Sequence, residues 1–350
     1  MKPAAPVTKT FFCMILPSFA VCVYHLDREV FESTFMRPWM RLFLKELSLI
    51  LILLSALYRA FVLKPLGLDV YLLYLPGLCF APLLVTLLLS YRWNNRLEVI
   101  KLMLGLVVFF LWLCPVKFGG LVFSPAKGDY SLVTLNVQAY EADLDKIART
   151  LRSMEVDAIC LQEVWSRPQF DVLKASLSDY QLLLSAEDMR EENYFQSGVV
   201  VAVRKNAKHH TLSSGAGFVA VEVEAPGGRF IVVSYHGRKA HKYDPVSLLQ
   251  TFQLQVEQSQ ALLAALSSQK APVLIGGDWN SPSSGPALKV LSGYRSAFFE
   301  VGRGLGVTFP ASFPLVRLDQ VLGSGGVQFR KMSTFQAGSD HLGVRVEFSI

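Results

Sequence analysis

The chain has 350 residues, enough for about two domains, and 52% of them are hydrophobic, which excludes an ordinary wholly soluble protein. Its formal charge of +6 is confined to residues 1–118, where 12 Lys and Arg face 6 Asp and Glu, because residues 119–350 carry 22 of each. The basic excess therefore indicates membrane topology and does not support a basic nucleic-acid-binding surface.

Apolar segments come first along the chain. Residues 70–91 contain no charge, and 22 such residues are enough to cross a bilayer core of about 30 Å. Weaker spans flank this segment near 47–63 and 100–117, so the sequence predicts a membrane region over residues 1–118 with about three transmembrane helices. An uncharged stretch at 10–26 fits a short span, an interfacial segment or a signal peptide, and the missing cleavage pattern favours the first two.

Basic residues in the membrane region predict its orientation. One cluster spans residues 28–45 and a second spans residues 92–101. Positively charged loops face the cytoplasm. We therefore expect a multi-pass membrane protein in which the part of the chain after the third span lies on the extracytoplasmic side.

Strand-like and helix-like segments alternate after a linker at 119–129. Apolar runs predict strands at 131–137, 158–161, 199–203, 218–223, 230–234, 273–275, 317–322 and 344–348. Helical spacing predicts helices at 144–154, 170–178 and 248–266. Residues 130–350 are therefore predicted to form one α/β domain.

Polar side chains follow the predicted strands repeatedly, at the points where the strands end. Five of them end or follow an apolar run: Asn136, Glu163, His236, Asp278 and Asn280. Asp319 lies in "RLDQVL", and Asp340 and His341 come just before the final strand. Each one alone is an ordinary residue for a solvated turn. Since neighbouring strand ends in packed sheets converge on one rim, we expect the whole set to surround one small volume.

The chemistry of this set favours a hard metal ion. Carboxylate and amide oxygens without cysteine suit Mg²⁺, with Mn²⁺ or Ca²⁺ possible, better than structural zinc. A metal ion, carboxylates and imidazoles together suit the hydrolysis of a phosphate ester.

The ordered motifs "TLNV", "LQEV", "SYH", "GGDWN", "RLDQVL" and "SDH" resemble those of the endonuclease/exonuclease/phosphatase superfamily, which includes deoxyribonucleases and neutral sphingomyelinases. The apolar N-terminal region and the segment "RGLGVTFP" are similar to a bacterial membrane-anchored branch. The resemblance implies a four-layer α/β sandwich of two mixed β-sheets flanked by helices, here preceded by an α-helical transmembrane region.

The resemblance also implies a set of metal ligands. Glu163 would be the main ligand, Asp340 would act near the metal, and Asn136 would position either metal or phosphate. Gln138 stands where some members carry a second acidic residue, which favours a one-metal site.

Catalytic and phosphate-binding roles carry over in the same way. Asp278 would orient or deprotonate the attacking water, while His341 would face the scissile phosphate with its ring oriented by Asp319. His236 and Asn280 would contact the phosphate, the latter holding a phosphate oxygen together with Asn136.

Two kinds of substrate remain open at this point, nucleic acid and a phospholipid head group. The bilayer is the expected partner, and no protein partner is inferable. A catalytically dead membrane scaffold is disfavoured because Glu163, Asp278 and His341 are all present. Three local interpretations complete the expectations: Gly276 and Gly277 allow a tight bend, Trp279 points into packing, and residues 209–210 form a solvated turn.

Overall fold

A computed structural model describes residues 127–138, 142–186, 188–240, 245–281, 285–304, 306–314 and 316–350. The predicted membrane region at 1–118 and the linker up to residue 126 lie outside the described residues. Over the ranges that are described, none of the helices combines the length and the apolar character needed to cross a bilayer.

Strands and helices alternate over the described residues much as the apolar runs predict. The strands are β1 (Tyr130–Asn136), β2 (Ala158–Gln162), β3 (Tyr180–Leu184), β4 (Val200–Arg204), β5 (Lys208–Gly215), β6 (Phe218–Ala225), β7 (Gly228–His236), β8 (Val273–Asp278), β9 (Arg295–Ser296), β10 (Asp319–Gly323), β11 (Gln328–Phe335) and β12 (Gly343–Ser349). The helices are α1 (Leu144–Ser153), α2 (Arg167–Ser176), α3 (Pro245–Leu266), α4 (Pro286–Val290) and α5 (Ala297–Val301), with a 3-10 turn at Asp188–Arg190.

Capping residues fix where the first two helices begin. The Asp143 side chain accepts a hydrogen bond from the Lys146 backbone N–H at the start of α1. Ser166 and Gln169 form a reciprocal capping box at the start of α2. Each arrangement satisfies backbone donors that a helix leaves without partners, which explains why α2 begins three residues before the apolar spacing predicts.

The strands form two six-stranded sheets of mixed direction, as the resemblance implies. The first sheet has the order β11-β12-β1-β2-β4-β3, and the second has the order β5-β6-β7-β8-β10-β9. One apolar core lies between the sheets, a second lies under α1 and α2, and a third lies under α3. The described domain is therefore an α/β sandwich with helices on its outer faces.

Two parallel strand pairs determine where the predicted polar residues lie. β1 pairs with β2 in one sheet and β7 pairs with β8 in the other, both in parallel. The carboxyl ends of these four strands lie at one pole of the sandwich, because β1 and β2 face β7 and β8 across the central core. Residues directly after the strands therefore share one volume.

Two local interpretations need correction. His209 and His210 do not form a turn; they lie inside β5, an edge strand whose polar residues conceal its pairing with β6. β8 also does not bend at its glycines but continues through both to Asp278. A Cβ atom on Gly276 would lie 3.1 Å from the Thr134 Cβ, so glycine there permits close approach of the facing sheet.

Candidate active site

Five of the predicted residues are placed by the ends of strands. Asn136 is the last residue of β1, and Glu163 directly follows β2. His236 and Asp278 end β7 and β8 in matching register, and Asp319 opens β10 opposite Asp278. The antiparallel course of β10 explains how a residue at the start of a strand joins residues at the ends of others.

Asp278 lies at the centre of the site and is fully buried. Its Oδ2 accepts a hydrogen bond of 3.0 Å from the Asn136 amide, and its Oδ1 accepts one of 2.8 Å from the Asn280 backbone N–H. Burial opposes ionisation, but His341, His236 and these two donors outweigh it and lower the pKa of Asp278. Asp278 is therefore a carboxylate at neutral pH.

His341 and Asp319 form a buried pair. The His341 Nδ1 lies 2.8 Å from the Asp319 Oδ2, and the His341 Nε2 lies 3.9 Å from the Asp278 Oδ2. Burial alone would lower the pKa of His341, but Asp319 and Asp278 raise it to about 10. Burial raises the pKa of Asp319 itself. The ring of Phe309 packs against His341 at a centroid distance of 4.7 Å.

His236 differs from His341 in charge. Burial lowers the pKa of His236, despite the opposing effect of Asp278 and Glu163. Its Nε2 lies 3.1 Å from the Asn280 Nδ2, and since an amide nitrogen only donates, Nε2 accepts. One face of the site therefore carries a neutral imidazole and the other carries an imidazolium.

Glu163 has few partners for a carboxylate that is 8% exposed. Its Oε1 lies 3.7 Å from the Lys239 Nζ and 3.9 Å from the His236 Nε2, and no donor among the described residues lies within hydrogen-bonding distance. Its ligand atoms lie within 4.8 Å of those of His236 and Asp278. A second group of this kind joins Asp278, Asp319 and His341.

Asp340 belongs to neither of these two groups in the part of the chain that is described. Its backbone N–H donates a hydrogen bond of 3.0 Å to the Gln138 Oε1, and its backbone carbonyl accepts one of 2.6 Å from Ala311. Its charge nevertheless contributes to the raised pKa of His341. The structure therefore brings Asp340 to the edge of the site and the other seven predicted residues to its centre.

Three residues at the site have a left-handed backbone conformation. The φ angles are 59° at Gln138, 62° at Glu163 and 45° at Asn280. This region is uncommon for residues other than glycine, costs on the order of 1 kcal/mol or more for each, and is concentrated at functional sites. It turns the Glu163 and Asn280 side chains out of the strand path and into the site.

Sequence reasoning missed two hydroxyl residues that position the site. The Ser339 Oγ donates a hydrogen bond of 2.7 Å to the Asn136 carbonyl and accepts one of 3.1 Å from the His341 N–H. The Thr308 Oγ1 accepts a hydrogen bond of 3.1 Å from the Asp319 N–H. Ser339 stands beside "DH" and Thr308 stands in "GVTFP", so proximity to these motifs was the available signal.

Comparison with known proteins identifies a family model and several similar folds. The model described as "Endonuclease/Exonuclease/phosphatase family" matches residues 133–341. A mannosyl-6-phosphatase from Bacteroides thetaiotaomicron VPI-5482 is 14% identical with a TM-score of 0.50, covering 63% of this chain and 100% of that one. This likeness supports the fold alone.

Two further structures have TM-scores just below that value. A family protein from Bacteroides thetaiotaomicron is 14% identical with a TM-score of 0.49, covering 65% of this chain and 98% of that one. D. rerio TDP2 in complex with a single-strand DNA product is 17% identical with a TM-score of 0.49, covering 63% of this chain and 99% of that one. The search of curated proteins found no match.

Proposed function

Since this chain belongs to the endonuclease/exonuclease/phosphatase family, we propose that it is a divalent-metal-dependent hydrolase of phosphate esters, most simply a phosphodiesterase of endonuclease type. The observation that carries the proposal is the convergence of Asp278 with the His341–Asp319 pair on one side and with Glu163 and His236 on the other. Proton transfer and charge stabilisation both require groups of this kind within a few ångströms of one phosphorus atom.

The donor set fits a hard divalent cation. Glu163 is nearly buried yet accepts no close hydrogen bond from the described residues, and a carboxylate in that condition is normally paired or bound to metal. We propose that Glu163 holds Mg²⁺, with Asn136 and Asp340 nearby and Mn²⁺ or Ca²⁺ as substitutes. When bound, the ion would polarise a phosphoryl oxygen.

Opposite charge states assign the acid–base roles. Asp278 is ionised and faces the site, so it orients a water molecule and accepts its proton. His341 is protonated, so its Nε2–H stabilises negative charge on the phosphate or on the leaving oxygen, while Asp319 fixes the ring through Nδ1. Environments that push the pKa values of neighbouring groups apart are typical of acid–base pairs.

Amide and imidazole groups suit phosphate binding. The Asn280 Nδ2 donates to the Gly237 carbonyl at 3.0 Å as well as to His236, which fixes the amide beside the ring. We propose that Asn280, Asn136 and His236 contact the phosphate oxygens. These neutral groups would orient the phosphate without adding charge to the site.

Residues 1–118 supply the remaining part of the proposal. Their apolar segments would anchor the enzyme in a bilayer, and the basic clusters would place the hydrolase on the extracytoplasmic side. A phospholipid phosphodiesterase of the sphingomyelinase type is the second candidate, favoured by this anchor and by the zero net charge of residues 119–350.

A parallel assay distinguishes the candidates. The full chain and His341→Ala, both in detergent, are incubated with Mg²⁺ and plasmid DNA, RNA or vesicles of choline or inositol phospholipids. Cleavage of nucleic acid that the variant loses supports the first candidate, and cleavage of lipid alone supports the second. Absence of cleavage with Mg²⁺, Mn²⁺ and Ca²⁺ would contradict both and favour a membrane scaffold.

A further inference from the structure

The site carries more negative than positive charge on its Glu163 side. The carboxyl groups of Glu163 and Asp278 both lie there, and the His236 Nε2 accepts a hydrogen bond from the Asn280 Nδ2. A phosphate ester brings additional negative charge to this surface. A cation in addition to the Mg²⁺ proposed for Glu163 would therefore stabilise the bound substrate and its transition state.

Lys239 is a cation at the mouth of this side. Its Nζ lies 3.7 Å from the Glu163 Oε1, and its side chain is 56% exposed. The separation exceeds a hydrogen bond, and an ion pair with such exposure contributes little to stability. The ammonium therefore lies beside Glu163 without a hydrogen bond to it, so Lys239 is available to a ligand when Glu163 holds the proposed metal ion.

The backbone that carries Lys239 is held firmly by helix α3. The Arg238 N–H donates to the Gln258 Oε1 at 2.8 Å, and the Arg238 carbonyl accepts from the Gln255 Nε2 at 2.7 Å. Gln255 is fully buried, and its Nε2 also donates to the Asn280 carbonyl at 3.1 Å. One side chain thus links the backbone preceding Lys239 to the residue proposed to bind a phosphate oxygen.

A mobile ammonium on a fixed backbone is suited to a specific task. The unbranched stem of lysine lets its charge move several ångströms, whereas the double clamp on Arg238 keeps the root of the stem at a constant distance from Asn280. Buried glutamine hydrogen bonds to two loops are costly to leave unmade.

We propose that Lys239 is a further catalytic residue whose ammonium contacts the non-bridging oxygens of the substrate phosphate, and that Gln255 positions it relative to Asn280. The inference rests on the proposed function, because it concerns the same phosphate. It adds to that function a residue outside the family motifs discussed above.

Binding of inorganic phosphate tests the inference without requiring turnover. Calorimetric titration of the full chain in detergent, in buffer with Mg²⁺, should give a Kd that rises about tenfold in Lys239→Ala, the loss expected for one charge-assisted hydrogen bond. Lys239→Arg should retain most of the affinity. Lys205→Ala is the matched control, since Lys205 is exposed and follows β4 at the opposite pole.

The outcomes separate this inference from the proposed function. Equal phosphate affinity in the native chain and Lys239→Ala, or equal losses in Lys239→Ala and Lys205→Ala, would overturn the role of Lys239. If the native chain hydrolyses esters in either of these cases, the proposed function stands alone. If it hydrolyses none but binds phosphate through Lys239, the binding role stands and the hydrolase proposal fails.

Discussion

Strand β1 begins in an aromatic cluster at one pole of the sandwich and ends at Asn136 in the candidate active site at the other. We call the first group the distal cluster; it consists of Tyr130, Phe230 and Phe348. Their ring centroids lie 5.3 to 5.7 Å apart, and the Tyr130 hydroxyl accepts a hydrogen bond of 2.8 Å from Gly227. These contacts favour the folded state.

The other pole holds the candidate active site, and we call it the active pole; its features oppose folding. It buries Asp278 and Asp319 completely, and it holds Glu163 and Asn280 in a left-handed conformation. Such features cost free energy of folding unless neighbouring groups compensate for them. The difference teaches that the same strands obtain stability at one end and chemical function at the other, so substitutions at the two poles should have separable effects.

Asp278→Asn should show the largest difference between its effect on activity and its effect on stability. The amide keeps the size of the side chain but cannot accept a proton from water, so kcat/KM should fall about a thousandfold or more. The rate is measured with a phosphodiester substrate in the presence of Mg²⁺. Near-ultraviolet circular dichroism of the buried Trp279, stacked on Tyr235, checks the fold. A loss below about tenfold would place the proton acceptor elsewhere.

Phe230→Ala should have the converse effect, a loss of stability with little change in activity. Phe230 is 1% exposed, and removing its ring should lower the free energy of unfolding by about 3–5 kcal/mol. At temperatures where the variant remains folded, kcat/KM should stay within about twofold of the native value. Phe230→Leu, which keeps most of the volume, should recover much of the stability; a large rate loss in it would show that the poles are coupled.

A pH titration sharpens the comparison through His341. Its pKa in the folded protein is raised to about 10, above the value in the unfolded chain. Protonated His341 therefore raises the free energy of unfolding by its full amount below about pH 6.5. This stabilisation, on the order of 2–4 kcal/mol, is lost as the pH rises toward 10. Denaturant unfolding of the metal-free chain should show this decline, and His341→Gln should flatten it. Equal slopes in the two proteins would contradict the buried charge pair.

The smallest effect is expected from comparing two variants of Asn280. Both Asn280→Gly and Asn280→Ala lose the amide, so both should bind phosphate more weakly. The backbone φ of 45° suits glycine better than alanine, so the glycine variant should be more stable by about 1 kcal/mol. Thermal unfolding measures the difference. A more stable alanine variant would mean that the left-handed conformation relaxes once the amide is removed.

The active pole could be predicted from sequence because its chemistry follows strong apolar strands. An apolar run that predicts a buried strand is followed by a polar residue in "SLVTLN", "AICLQE" and "VLIGGD". This pattern predicted the positions of Asn136, Glu163 and Asp278. The edge strands were harder to predict. β5 and β11 are mostly polar and lack an apolar run, and their pairing depends on β6 and β12.

The residues that hold the site residues in position could not be identified from the sequence. Ser339 and Thr308 each act through two hydrogen bonds to backbone groups, and serine or threonine in a loop carries no distinctive pattern. Gln255 lies in a long amphipathic helix, where its neighbours do not reveal that it reaches two loops. Such contacts arise from tertiary packing, which brings together segments far apart along the chain.

One measurement tests the central claim, that the polar pole is a catalytic centre for phosphate esters. The Mg²⁺-dependent hydrolysis of a chromogenic phosphodiester is followed for the full chain and for His341→Ala at equal concentrations of folded protein. The account predicts measurable turnover that falls about a thousandfold in the variant. Equal rates in the two proteins, or hydrolysis that persists unchanged after chelation of divalent metal, would contradict it.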